Sequence, residues 1–226
     1  MRTADLRAAW WAIVVVFLIN GLLVATWISR IPAVKAALDL NNAELGLALL
    51  SSAIGAVCAI PFAGRFVSRY GSRRITVISG IALCFCLLLP GLAVNAPTLG
   101  AALFAFGGAA AAMDVSMNAQ GVEVEKRLGK PTMSRFHGMF SLGGMVGAGV
   151  GGIVAAHYIR PVTHFWVSAL IYFFAIIVVA PLLLETQNSV QPNAHRVSLR
   201  RIPRVLWALS AIGFCILLSE GAMADW

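Results

Sequence analysis

Seven apolar runs fill most of the chain, at about residues 10–29, 44–63, 75–95, 98–120, 136–157, 164–184 and 205–224. Each is close to the ~20 residues that a helix needs to cross the hydrocarbon of a bilayer. In that medium every backbone N–H and C=O has to be bonded within the chain, so runs of this kind fold as helices. Soluble architectures are excluded by composition. Charged residues make up 12% of the 226 and hydrophobic ones 60%, whereas charges are about a quarter of a soluble domain. The mean hydropathy is +0.86. The expected fold class is an all-α membrane protein. The first run lacks an A-x-A-like cleavage site, so it reads as a span rather than a removable leader.

Orientation follows from the basic residues. Alternate connections carry Arg2 and Arg7; Arg65, Arg69, Arg73 and Arg74; Lys126, Arg127, Lys130 and Arg135; and Arg196, Arg200, Arg201 and Arg204. The other side has only Arg30, Lys35 and Arg160. Lys and Arg accumulate on the cytoplasmic side, which places the N-terminus inside a multi-pass protein of the bacterial inner membrane. The net charge of +8 is then a topology signal, and nucleic acid is not an expected partner. The lipid bilayer is.

The one long polar linker follows six runs and precedes the seventh. It divides the chain into a six-helix bundle (1–184), a central cytoplasmic loop (185–204) and the first helix of a second bundle (205–226). The expectation is the first half of a longer transporter, monomeric when full length, with the start of its second half. A faint repeat runs through the first half. Shifted by 92 residues, Gly46, Gly55 and Ala56 fall on Gly138, Gly147 and Ala148, and Pro90 falls within one residue of Pro181. Three spans per unit is odd, so the units would insert with opposite topology, the plan of many secondary transporters.

The stretch Met113 to Gly121, MDVSMNAQG, closes the fourth run. An ionised Asp114 inside a bilayer costs ~2.5–3.5 kcal/mol even on lenient insertion scales. At ~1.5 Å per residue it lies ~24 Å along the helix from Thr98. Asn118 is four residues on, hence on the same helical face. Three readings of Asp114 stand side by side: a hydrogen-bonded structural acid, a group that binds solute or carries a proton, and an acid that snorkels to water.

Two further stretches carry family character. Gly64 to Ile75, GRFVSRYGSRRI, resembles the signature loop of the major facilitator superfamily, G-x-x-x-D-R-x-G-R-R in its usual form. Gly64 would allow a close helix approach and Gly71 the turn. Arg65 and Arg69 supply positive charge, and Arg73 and Arg74 would contact helix ends or acids. Ser68 stands where the family usually has an acidic residue. The fifth run spaces Gly143, Gly147 and Gly151 four apart, which lets helices pack backbone to backbone. It is similar to the fifth-helix motif of the superfamily's exporters, with Ala148 in place of proline. A close-packed helix contact is the favoured reading.

MDVSMNAQG, together with RFHGMFSLGG (Arg135 to Gly144), looks like the fucose-permease-like branch of the superfamily, in particular bacterial inner-membrane proteins of the YbjJ type. The resemblance covers essentially the whole chain. It implies a six-helix bundle of 3+3 inverted repeats, with Asp114 and Asn118 lining a cavity used in proton-coupled uptake. The first helix, where those permeases carry an acid, offers Asn20.

In the seventh run Glu220 is a cavity candidate, and Asp225 sits near the outer surface. His137 is expected to cap or be solvated, and Arg30 to snorkel outward. Cys58, Cys84, Cys86 and Cys215 are small apolar-run residues without metal-ligand company. No G-x-S-x-G, H-E-x-x-H or phosphate-binding G-x-x-x-x-G-K occurs, so no enzyme, cofactor or metal is expected. The expected function is secondary transport of a small polar solute by alternating access, with protons the coupling ion that the resemblance implies. Efflux of drugs or metabolites is the runner-up. A non-transporting membrane regulator and a nonfunctional fragment are the readings from other classes.

Overall fold

The computed structural model describes residues 3–185 and the isolated positions 207, 211, 212 and 215. The chain divides into two units, Met1–Ser189 and Val190–Trp226, and the described bundle is the first. Glu220, Asp225 and nearly all of the expected seventh span lie outside the described residues.

The apolar runs fold as helices: α1 (Thr3–Ile28), a short α2 (Ile31–Ala37), α3 (Asn42–Tyr70), α4 (Ser72–Leu88), α5 (Ala96–Leu128), α6 (Met133–Ala156) and α7 (Pro161–Val179). Six segments are long and apolar enough to cross a membrane, and no strand occurs among the described residues.

Helix ends follow local chemistry more than hydropathy. Asn41 opens α3 and Asn95 opens α5, each in a capping box with Glu44 or Thr98 three residues on. Such boxes satisfy two otherwise orphaned backbone donors. The segment expected as a loop from Gly64 onward is instead helical through Tyr70. A single residue, Gly71, makes the turn into α4 at φ 85°, a conformation costly for any side chain. α5 likewise runs past its apolar stretch, because Glu, Lys, Arg and Leu favour helix and Glu123 pairs with Arg127 one turn on. It stops at Gly129, whose φ of 63° is left-handed.

The packing is two-fold. α1 packs chiefly on α6, and α5 chiefly on α3; α4 flanks α5, and α7 flanks α1. The main contacts pair up: α1 on α6 answers α5 on α3, and α7 on α1 answers α4 on α5. The sequence repeat acquires physical content here. Gly55 and Gly147 are both buried in these contacts, whereas Gly46 and Gly138 both face open space. Pro90 and Pro181 both lie in 3₁₀ turns, Leu89–Leu92 and Ala180–Leu182, that end the third helix of each unit.

Both principal contacts are backbone against backbone. A Cβ on Gly55 would lie 2.0 Å from the Phe104 carbonyl oxygen, and one on Gly107 2.0 Å from that of Ser52. In the other contact, Cβ atoms on Gly21 and Gly143 would lie 2.1 and 2.2 Å from the carbonyl oxygens of Phe140 and Leu18. Gly147 meets Ala25 and Leu22, and Gly151 meets Ser29. Without a hydrophobic drive between helices in lipid, such approach is a main source of association. Gly64 does not share it: among the described residues nothing lies within 4 Å of a Cβ placed there, so within the described bundle the close approach expected at that position is not made.

α1 is the bundle's centre. Its hydrophobic window is 67% buried, against 11% for α3 and 17% for α6, so α3 and α6 present most of their surface outward.

Candidate functional site

The buried positions of α5 recur at the helical period: Leu99, Leu103, Phe106, Met113, Met117, Gln120 and Val124. Asp114 and Asn118 fall off that stripe. Asp114 is exposed on the bundle, within a turn of the midpoint of α5. Asn118 Nδ2 donates to Asp114 Oδ1 at 3.0 Å and to the Asp114 carbonyl oxygen at 2.9 Å. The pair is therefore intrahelical. A carboxylate offers about four acceptor sites, so Asp114 keeps capacity for a solute or a proton. From the next helix, His137 lies within electrostatic range of Asp114. Its exposed ring meets Phe17 edge-on at 5.2 Å.

Asn20 is placed differently from Asp114. It is 3% exposed, in the α1–α5 contact, where its Nδ2 donates to Met117 Sδ at 3.5 Å. Its Oδ1 has no partner among the described residues. The structure thus brings Asp114 and Asn118 together and sets Asn20 behind them.

The arginine-bearing turn between α3 and α4 is tied to the far end of the chain's sixth span. Arg73 Nε donates to the Ala180 carbonyl at 3.1 Å, and its Nη1 meets Glu185 at 2.9 Å. A helix end and an acid are both engaged. The ion pair is exposed and of the kind worth ~0–1 kcal/mol. Ser68 donates to the Arg65 carbonyl at 2.8 Å, Arg69 lies over the Tyr70 ring, and Arg65 and Arg74 are exposed. Gly143, Gly147 and Gly151 all face α1, as the packing reading of their spacing requires.

Gln120 does more at this end than any charged residue. It is fully buried and donates to Ser72 Oγ and to the Leu184 carbonyl, both at 2.7 Å, while its Oε1 accepts the Leu184 N–H at 3.1 Å. One side chain therefore binds α4, α5 and the exit of α7. Leaving a buried amide unpaired costs ~1–3 kcal/mol, which makes this clamp specific. Separately, Ser79 of α4 and Ser116 of α5 meet farther inward, their hydroxyls 3.3 Å apart. Sequence reasoning passed over Gln120 because an uncharged residue in a mixed stretch gives no signal of its face.

Glu125, in the last turn of α5 beyond the apolar run, accepts the N–H groups of Thr132 (2.6 Å) and Met133 (2.8 Å). It supplies the cap that the start of α6 otherwise lacks. Those two donors hold its carboxyl below the usual carboxylate range. Arg30 departs from expectation. It does not snorkel: it is 2% exposed and donates through Nη2 to the Ile159 carbonyl in the α6–α7 turn. Enclosure by the α6–α7 turn and the first turn of α7 turns it inward. Among the described residues no cluster of three His, Cys, Asp or Glu could hold a metal ion.

The sequence of the chain matches known proteins. The family model of the Major Facilitator Superfamily matches residues 13–224. An uncharacterized MFS-type transporter of Yersinia pestis is 37% identical over 214 residues, covering 93% of this chain and 54% of that protein. An uncharacterized transporter of Sinorhizobium fredii is 34% identical, over 98% of this chain and 58% of its own. The membrane protein MosC of Rhizobium meliloti is 33% identical, over 93% and 51%. The chain spans about half the length of these relatives. Its paired three-helix units form the N-terminal helical bundle of that fold, and the chain belongs to the major facilitator superfamily.

Proposed function

We propose that this bundle is one wall of a secondary transporter for a small polar solute, with Asp114 as its principal acid and Asn118 as the group that orients it. The observation that carries the proposal is the placement of Asp114. It is exposed near the middle of a membrane-length helix and, among the described residues, hydrogen-bonded only within its own helix. Facing lipid, such a carboxylate would cost ~2.5–3.5 kcal/mol or more. Facing a water-filled cavity it costs little, and membrane carboxylates of this kind mark solute and proton pathways. The structural-acid reading loses weight, because Asp114 makes no hydrogen bond to another helix among the described residues.

In this reading the exposed faces of α3 and α6 meet an opposing bundle, and rocking of the two exposes the Asp114 face alternately to each side. Asn20 supports α5 from behind through Met117 rather than touching solute. The α3–α4 turn, Arg73 and Glu185 form the hinge-side contacts of the cytoplasmic end, the orientation resting on the Lys and Arg distribution. The resemblance of MDVSMNAQG to the fucose-permease-like branch supports uptake with protons as coupling ion.

The test is Asp114→Asn in the full-length transporter carrying this chain. The carboxamide keeps the size and the Asn118 contact but cannot carry a proton. We expect normal membrane abundance with coupled uptake reduced at least ~100-fold, the scale of ~2.7 kcal/mol. Proton-dependent uptake at the parental rate would overturn the assignment.

A further inference from the structure

Titratable groups are scarce around Asp114. α1 carries none between Arg7 and Arg30, α5 has only Asp114 between Ala96 and Glu123, and α6 has only Arg135 and His137. His137 stands in the second turn of α6. The meeting of α5 and α6 is marked by Gly121, whose Cβ would lie 2.9 Å from Met133 Sδ and 3.3 Å from Phe136 Cδ2. From that contact the helices run in opposite chain directions into the bundle. Asn118 and then Asp114 follow along α5, and His137 follows along α6. α1 marks the same level from its own side. Its buried Phe17 meets the His137 ring edge-on at 5.2 Å, and Asn20, one turn on, donates to Met117 Sδ beside Asn118. His137 and Asp114 lie within electrostatic range of each other, and both are exposed.

The remaining charges near this end are engaged or turned away. Glu123 pairs with Arg127, and Glu125 accepts the Thr132 and Met133 N–H groups. Arg135 is exposed two residues before His137, and residues two apart do not share a helix face. From α1 the ring meets Phe17, which has no charge. The acid that faces the imidazole is therefore Asp114. An imidazole changes charge near pH ~6.5 when unperturbed, and a nearby carboxylate favours its charged form. Water reaches both exposed groups, and one water suffices to carry a proton between an acid and a base.

We infer that His137 is the second titratable group of the Asp114 site, and that the two side chains hold one mobile proton between them. The proton sits on the Asp114 carboxyl beside a neutral imidazole, or on His137 beside a carboxylate. Moving it breaks one O–H bond and forms one N–H bond, with the bridging water as the sole go-between. The inference rests on the reading of Asp114 as the acid of a transport site. It adds the proton's next station, one helix over and nearer the basic α5–α6 turn.

The experiment is an NMR titration of the 226-residue chain in lipid nanodiscs, with its histidines isotope-labelled at Cε1. The chain has four histidines, and His137→Gln identifies the signal of interest. Asp114→Asn should weaken proton binding at His137 roughly tenfold, the low end of what a nearby opposite charge supplies. Asp114→Glu, which keeps the charge, should restore most of it, and the other histidines should not move. Identical His137 titrations in wild type and Asp114→Asn overturn the pair. So does an equal shift at every histidine, which reports a change of fold rather than a local charge. Should Asp114→Asn not fold, the infrared titration of the carboxyl groups in wild type against His137→Gln decides, and an unmoved spectrum overturns the pair. None of these readouts needs the solute. Failure of the transport reading would show elsewhere, as proton-dependent uptake by Asp114→Asn at the parental rate.

Discussion

The α1–α6 and α3–α5 contacts use one device twice and differ in what flanks it. In α1–α6, Gly143, Gly147 and Gly151 all face α1, and the contact runs as far as Ser29. In α3–α5 the reciprocal contact of Gly55 with Phe104 and Gly107 with Ser52 is equally tight. Two turns farther along, Gly100 still lies against α3: a Cβ there would be 3.3 Å from Ser51 Oγ and 4.0 Å from Ala48 Cα. Beside this end the two helices line a groove of about 580 Å³, with Glu44, Leu47, Ile54, Pro97 and Phe104 among its walls. Inverted repeats can thus share a crossing point and still differ in the surface around it.

The largest effect tests the shared crossing. Gly55→Val and Gly143→Val each drive a Cβ to about 2 Å from a backbone oxygen, a clash with no flexible side chain to absorb it. We expect losses of about 3 kcal/mol or more, read as failure to recover monodisperse protein in detergent. Parental yield and unfolding midpoint in either variant would break the equivalence of the two contacts.

Next comes a contrast between the two ends. Gly151→Ala meets Ser29 Oγ at 2.0 Å and should cost about 1–3 kcal/mol, whereas Gly100→Ala meets Ser51 Oγ at 3.3 Å, a tight contact relieved by a small shift of that side chain. Unfolding midpoints measured side by side should fall much further for the first. Equal shifts would mean that the two ends are equally tight.

A smaller effect, of opposite sign, sharpens the picture of the closed end. Tyr158 stands in the turn after α6 at φ 56° and is 94% exposed. Glycine usually fills this place, since a left-handed L-residue costs ~1–2 kcal/mol. Tyr158→Gly should therefore stabilise the bundle by about 1 kcal/mol, visible as a higher midpoint. A lower one would show that the tyrosine ring contributes more than its backbone costs.

Much of this was legible in the residues. The first six spans and the fold class followed from run lengths, and the Asp114–Asn118 bond followed from the four-residue spacing. The face that α6 turns to α1 followed from its glycines. Other features were not legible, for physical reasons. α3 and α5 outrun their apolar stretches because charged helix formers continue a helix in water as readily as apolar ones do in lipid. α1 is apolar nearly all round, so its sequence does not say that Asn20 faces α5. Arg30 reads as a snorkelling residue until the α6–α7 turn, more than a hundred residues away, is folded over it. Gly64 carries the motif spacing of a contact residue, but only the tertiary arrangement reveals that nothing is near it.

The pairing of α1 with α6 also bears on how the protein is made. α1 leaves the ribosome first, carrying Asn20, Thr26 and Arg30, all of which are buried in the finished bundle. Its main partner begins at Met133, some hundred residues later. At about 5–20 residues per second of synthesis, Arg30 waits on the order of 6–26 s before Ile159, the residue that receives it, exists. The insertion machinery or a transient helix partner has to shelter α1 for that interval. A slower codon stretch between α1 and α6 would lengthen the exposure without altering a single residue.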